Sequence, residues 1–352
     1  MLIYGGGSIK SNGVYNQVIN ALTGHDVIEF SGIEPNPLYE TCMKATRQAQ
    51  KANVDFVLAV GGGSVMDATK FIAAAATYTG QDPWDMVLKR APVEAALPLG
   101  CVVTLPATGS ETNINAVISR ESTAQKIPFK SPFLYPQFSI LDPDTTFSLP
   151  QRQLANGVVD TFVHVCEQYL TYDVNAPLQD RQAEGILLTL IEEAPKLCGP
   201  EDNYDVRANL MWCATQALNH NLACGVPTDW SSHAIAHELT ALCGLEHARA
   251  LAIVLPALLH NQRQSKSIKL QQFAHRVWGI SDENSEKAID MALASIVRFF
   301  QSMGFVTRLR DCDISRDVIT QIAQRLGKRQ PLIGEHQNIG SAEVGAILEY
   351  AS

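Results

Sequence analysis

The chain has 352 residues, 46% hydrophobic and 18% charged. That is apolar mass for about two cores at ~150 residues per domain, and too little charge for a disordered chain. Lys and Arg number 27 against 36 Asp and Glu, a net charge of −9 with no basic run, which argues against nucleic acid and anionic membranes as partners. The apolar stretches, such as Phe71–Thr77 and 250–259, fall short of the ~20 residues of a membrane helix, and the opening residues show no secretory pattern. Eight cysteines are scattered without a CxxC pair, the usage of buried free thiols in a reducing compartment. A cytoplasmic protein is therefore expected.

Leu2-Ile3-Tyr4 reads as a short strand running into Gly5-Gly6-Gly7-Ser8. A buried parallel strand commonly takes ~4–8 residues, so the chain opens where a strand is already ending. Either this strand is stubby or an N-terminal portion is missing. Val54–Val60 is a second strand, broken by Gly61-Gly62-Gly63-Ser64 and followed by an Ala-rich helix over Val65–Thr77. Leu99–Leu105 and Phe138–Leu141 are further strands, stopped by Pro106 and Asp142-Pro143. Apolar strands alternating with helices predict a parallel sheet covered on both faces.

After Leu149-Pro150 the strand signals nearly vanish. Apolar positions of 3.6 period predict helices over 156–172, 183–197, 205–219, 232–242, 248–262, 268–278, 285–303 and 316–325. The fold class expected is α/β plus all-α: a dinucleotide-binding domain over 1–150 and a helical domain over 151–352.

Strand, GGGS and helix in succession form a phosphate cradle. Glycines admit an anion to the backbone, and the helix N-terminus offers N–H groups and a partial positive charge. Ser64 can cap that helix and donate to a phosphate oxygen. Two such loops in one sheet suit a dinucleotide. An NAD site usually carries an acid for the ribose 2′-OH, but here Gly5–Ser8 is followed by Ile9 and Lys10, and the first acid is Asp26. Small residues, a hydroxyl and a cation accommodate a 2′-phosphate, so NADP is favoured over NAD.

Five of the nine histidines lie between 164 and 247. Asp160 and His164 stand four apart, as do His233 and His237, each pair on one apolar helix face. A buried carboxylate needs a partner. One carboxylate with neutral imidazoles suits Zn²⁺ or Fe²⁺. The HxxxHE order is not that of the zincin proteases. Spacing alone leaves His220, His233, His237, His247 and His260 open as ligands.

The set Gly61-Gly62-Gly63-Ser64-x-x-Asp67-x-x-Lys70, Pro106-Ala107-Thr108-Gly109-Ser110-Glu111, Asp160-x3-His164 and His233-x3-His237-x9-His247 resembles the iron-containing (group III) alcohol dehydrogenases, in particular their bacterial NADPH-dependent aldehyde reductases. The resemblance covers essentially the whole chain. It implies a Rossmann-like domain followed by a helical metal-binding domain, the dehydroquinate-synthase-like architecture. By position it implies metal ligands Asp160, His164, His233 and His247, with His237 beside the metal as a catalytic group. It places Gly62, Gly63, Ser64 and Asp67 at the pyrophosphate and nicotinamide side of NADPH. Thr104, Thr108, Asn115 and Lys126 would line the rest of the cofactor cleft, with Asn36, Gly6, Gly7 and Ser8 at the adenosine end. It also implies a cytoplasmic homodimer and a further N-terminal segment with a β-hairpin.

The reading is a metal-dependent oxidoreductase moving hydride between NADPH and small uncharged aldehydes or primary alcohols, chiefly in the direction of reduction. One alternative is a dehydroquinate-synthase-like cyclase or lyase, which would need several cations for a phosphorylated, carboxylated substrate. Between 156 and 248 only Arg181, Lys196 and Arg207 occur. The other is a truncated paralogue that binds nucleotide without turnover.

Overall fold

In the computed structural model residues 1–198 and 203–352 are described, and the chain divides into two compact units, Met1–Pro150 and Gln151–Ser352. The first is built on a five-stranded sheet. Its strands are β1 (Leu2–Tyr4), β2 (Glu29–Phe30), β3 (Val57–Gly62), β4 (Leu99–Leu105) and β7 (Phe138–Leu141). They lie in the order β2-β1-β3-β4-β7, all pairs parallel. Leu2, Tyr4, Leu58, Val60 and Val102 pack on one face with Ile9, Val14 and Val18.

Gly61 and Gly62 do not break β3, as the sequence suggested. They continue it through a register shift, and the helix begins at Gly63. Close packing accounts for the glycine at 63, where a Cβ would stand 2.5 Å from Thr108 Cγ2. The hairpin of β5 (Asn115–Arg120) and β6 (Gln125–Lys130) was not anticipated, nor was the helix Tyr39–Lys51. Pro128 within β6 had obscured the strand; it pairs with Val117 in a two-stranded ribbon whose outer side needs no donor.

The helix Gly63–Thr77 is buried almost all round, and its two charged residues are buried with it. Lys70 Nζ donates to Ser110 Oγ at 2.9 Å and to the carbonyls of Asn113 and Asn115, each at 2.8 Å. Asp67 accepts from Ser110 Oγ at 2.7 Å and from the Val117 N–H at 2.9 Å. Burial pushes the Asp67 carboxyl up and brings Lys70 down to about 8. These bonds fasten the loop after β4 and the start of β5 to the helix.

Among its described residues the second unit is helical, apart from a bridge between Ile333 and Ile339. Its helices lie close to the 3.6-period segments of the sequence, with shifted ends. The helix read from Ala183 begins at Pro177, where proline suits a first helical turn, and passes into a 3₁₀ turn at Ala194–Cys198. A C-terminal helix, Ser341–Tyr350, was not anticipated.

Lys70→Met keeps the length of the side chain, takes their ammonium donor from the carbonyls of Asn113 and Asn115, and removes the positive charge that offsets the buried Asp67 carboxyl. Loss of a buried charge partner costs roughly 3–5 kcal/mol. Thermal or urea melts should show the first unit unfolding markedly earlier; an unchanged midpoint would mean that the network contributes nothing.

Candidate metal centre and nucleotide-binding loops

The helix Gln151–Tyr169 is buried along nearly its whole length from Leu154. Asp160 and His164 share one of its faces and are 4% and 5% exposed. The helix Ser231–Cys243 presents His233 and His237, both buried. It ends at Gly244, whose left-handed backbone (φ 65°) places the Gly244 N–H 3.0 Å from the Thr240 carbonyl. That reversal starts a new helix, His247–Asn261, so His247 is its first residue. Glu246 secures the turn by accepting from Arg152 and from Asn156 Nδ2, both at 2.8 Å.

Three imidazoles thereby meet one carboxylate oxygen. Asp160 Oδ1 lies 3.7 Å from His164 Nε2, 3.6 Å from His233 Nε2 and 3.7 Å from His247 Nε2. In a tetrahedral site with arms of ~2.0–2.1 Å the ligands stand ~3.3–3.4 Å apart, so these separations are near those of donors around one ion. Donor atoms of Asp160, His233 and His247 all lie within 4.8 Å of one another. The buried Nε2 of His233 has no hydrogen-bond partner among the described residues. His164 is outside that group of three and joins it through Asp160 Oδ1; carboxylate oxygen and imidazole nitrogen are donors that Zn²⁺ and Fe²⁺ accept.

The electrostatics agree. Burial opposes a charged His233 ring, yet Glu167 and Asp160 outweigh it and hold the His233 pKa at about 9. Glu167 and Asp160 thus make the surroundings of that ring favourable to positive charge. His237 stands aside, its ring 5.3 Å from that of His247 and 6.1 Å from that of His233. The indole of Trp230, 37% exposed, packs edge-on against His164 and His233, and its Nε1 donates to Thr228 Oγ1 at 3.0 Å. Sequence reasoning missed Trp230, Glu167 and Glu246. Glu167 had a signal: it continues the Asp160–His164 face by three residues.

The residues expected at the nucleotide fall in the first unit. Asn36, Ser64 and Lys126 form one chain of contacts: Lys126 Nζ donates to Asn36 Oδ1 at 2.7 Å, and the Asn36 N–H to Ser64 Oγ at 3.3 Å. Asn115 opens β5, Thr104 is buried near the end of β4, and Thr108 Oγ1 accepts from the Ser110 N–H at 3.2 Å. Gly62 ends β3. Asp67 has both carboxylate oxygens engaged inside the protein, so it braces this region from beneath. At the end of β1, a Cβ on Gly6 would meet nothing within 4 Å, so internal packing does not require glycine there. Gly7 has φ 98° and Ser8 opens a helical turn. An acid does approach this loop. Glu29 on β2 accepts from the hydroxyls of Tyr4 and Tyr15 and lies 3.6 Å from Lys10, whose ammonium sits over both rings.

Residues 1–143 match the iron-containing alcohol dehydrogenase family, and residues 154–352 match the C-terminal part of the same family. The chain belongs to the iron-containing alcohol dehydrogenase family. Among its relatives in that family, the NADPH-dependent aldehyde reductase YqhD of Escherichia coli (strain K12) is 52% identical over 342 residues, covering 96% of this chain and 88% of that one. A probable NADH-dependent butanol dehydrogenase 1 of Bacillus subtilis (strain 168) is 40% identical, covering 99% and 91%. The crystal structure of E. coli K-12 YqhD superposes with a TM-score of 0.98 at 50% identity, over 100% of this chain and 91% of that one. The NADH-dependent butanol dehydrogenase A of Thermotoga maritima gives 0.95 at 36% identity, over 100% and 90%. An α/β domain followed by a helical one is thus the shared fold of this chain and its iron-containing relatives.

Asp160→Ala and His233→Ala should each abolish retention of a divalent ion, as read by elemental analysis after dialysis. His237→Ala should keep the ion, because its ring lies outside the group around Asp160 Oδ1. Ion loss in the His237 variant equal to that in the His233 variant would overturn this division.

Proposed function

We propose that this chain is a metal-dependent aldehyde reductase using NADPH. The observation that carries the reading is the convergence of His164, His233 and His247 on Asp160 Oδ1. Its relatives include an NADPH-dependent aldehyde reductase and NADH-dependent butanol dehydrogenases, so the cofactor has to be argued from the loops.

A divalent ion held by Asp160, His164, His233 and His247 would polarise the carbonyl oxygen of the substrate, and NADPH would supply the hydride. The protein's own groups do the rest. Burial of Asp160 and His164 keeps water from competing for the donors. His237, beside His247 but off the carboxylate, is placed to hand a proton to the developing alkoxide. Trp230 offers the carbon chain of the substrate an apolar face. An uncharged substrate agrees with how the cations of this unit are used. Arg181 is held by Glu184 and Lys196 by Glu193, each at 2.7 Å. The cyclase alternative would need such cations free for a phosphate and carboxylates.

For the nucleotide, Gly6 leaves room at the end of β1, and Ser8 and Lys10 supply a hydroxyl and a cation for a 2′-phosphate. Glu29 partly offsets Lys10, but its carboxylate is occupied by Tyr4 and Tyr15. The Ser64–Asn36–Lys126 chain supplies polar groups beside the helix N-terminus that receives the pyrophosphate. The resemblance further supports a cytoplasmic homodimer. No helix among the described residues is long and apolar enough to cross a membrane.

Reduction of a short aldehyde should run with a higher kcat/KM for NADPH than for NADH; parity or the reverse overturns the cofactor assignment. Gly6→Asp should move the ratio towards NADH by an order of magnitude or more, since a carboxylate there repels the 2′-phosphate. Gly7 is the poorer site for this test, because an aspartate at φ 98° would also strain the backbone.

A further inference from the structure

Asp160 and His164 come from one helix, whereas His233 comes from another, so the two helices must be held together for these side chains to share one ion. The residue that links the two is Glu167, 3% exposed and on the face already occupied by Asp160 and His164. Glu167 Oε1 accepts the backbone N–H of His233 at 3.1 Å, and Oε2 is hydrogen-bonded to His233 Nδ1. The backbone carbonyl of Glu167 accepts the Asp229 N–H at 2.7 Å, just before the helix that carries His233 begins. Asp229 in turn accepts from the Ser231 N–H at 2.9 Å and lies 2.8 Å from Lys266 Nζ. One residue of the first helix thus grips the main chain and the ring of a ligand on the second.

We propose that Glu167 is a positioning residue: it fixes the direction of the His233 ring and the nitrogen that carries its proton, and so sets the affinity of the site for a divalent ion. This rests on the reading of Asp160, His164, His233 and His247 as an ion site. A carboxylate only accepts hydrogen bonds, so the nitrogen facing it, Nδ1, must carry the hydrogen. In the neutral ring that leaves the lone pair on Nε2, and Nε2 is the atom 3.6 Å from Asp160 Oδ1. Outer partners of this kind orient metal-binding imidazoles and raise their basicity, and losing one typically costs ~10–100-fold in metal affinity.

Glu167→Gln separates positioning from packing, because the amide has the shape of the acid. Its oxygen can serve the backbone N–H or the ring Nδ1–H, but not both. If it serves the ring, the NH₂ faces the backbone N–H; if it serves the backbone, the NH₂ faces Nδ1–H unless the ring moves its proton to Nε2, which then cannot ligate. The test uses the full chain stripped of metal and titrated with Co²⁺ and Zn²⁺ against a competing chelator, with the visible spectrum of the Co²⁺ form recorded. Melting of the metal-free protein serves as the control for packing. The variant should melt close to wild type, bind both ions ~10–100-fold more weakly and show an altered Co²⁺ spectrum. Glu167→Asp, which keeps the charge but shortens the reach, should weaken binding likewise, and it makes the same test if the Gln variant does not fold. Unchanged affinity and spectrum in either folded variant would overturn the positioning role. Failure of the wild-type chain to bind either ion would instead overturn the ion site itself.

Discussion

A single carboxylate oxygen buried among three imidazoles is the constraint on which the helical unit depends. Asp160 is 4% exposed, so its carboxyl group lies inside the protein. An isolated buried carboxylate is costly, and the cost falls only if positive charge or donors surround it. Here His164, His233 and His247 are brought to within 3.7 Å of Oδ1 from the same helix, the next ligand helix and the first residue of the helix after it. The arrangement requires a left-handed glycine at 244, a pinned turn at Glu246 and a continuous apolar packing of the first helix. The packing keeps the helices in place, and the charge decides what the packed site is for.

The first unit solves a related problem with the sign reversed. Lys70 is a fully buried ammonium in a largely apolar helix, where a hydroxyl and two backbone carbonyls accept from it. Asp67, one turn earlier, receives Ser110 and Val117. This pair converts a helix that could pack in several ways into one locked to the loop after β4 and to the β5–β6 hairpin. The hairpin carries Lys126, and the loop carries Thr108, so the groups proposed to face the nucleotide are held from below by charge that never reaches solvent. The glycine at 63 is there because Thr108 comes so near, whereas Gly6 has open space beside it. Internal packing accounts for the glycine at 63 and leaves the one at 6 unexplained.

What could be read early was local. Strand Leu99–Leu105 and strand Phe138–Leu141 are mostly apolar runs, closed by Pro106 and by Asp142-Pro143, and both stand where the sequence put them. The long helices of the second unit followed their 3.6-residue period. The short hairpin did not, because Pro128 and alternating polar residues hid it, and neither did the edge strand Glu29–Phe30, which is two residues long. The histidine pairs could be seen as two helix faces, but five histidines remained possible ligands until the chain was folded.

The sequence by itself determined which elements form and which chemistry they can carry, since hydrophobic period, helix caps, glycine turns and i,i+4 pairs all act between neighbours in the chain. Tertiary structure alone decided the partners. Lys126 meets Asn36 across 90 residues, and Glu167 meets His233 across 66. It also decided that Glu29 would stand beside Lys10, and that His237 would lie outside the group that encloses Asp160 Oδ1. Contacts of that length depend on how helices and strands pack in three dimensions, and no pattern between near neighbours in the chain encodes that packing.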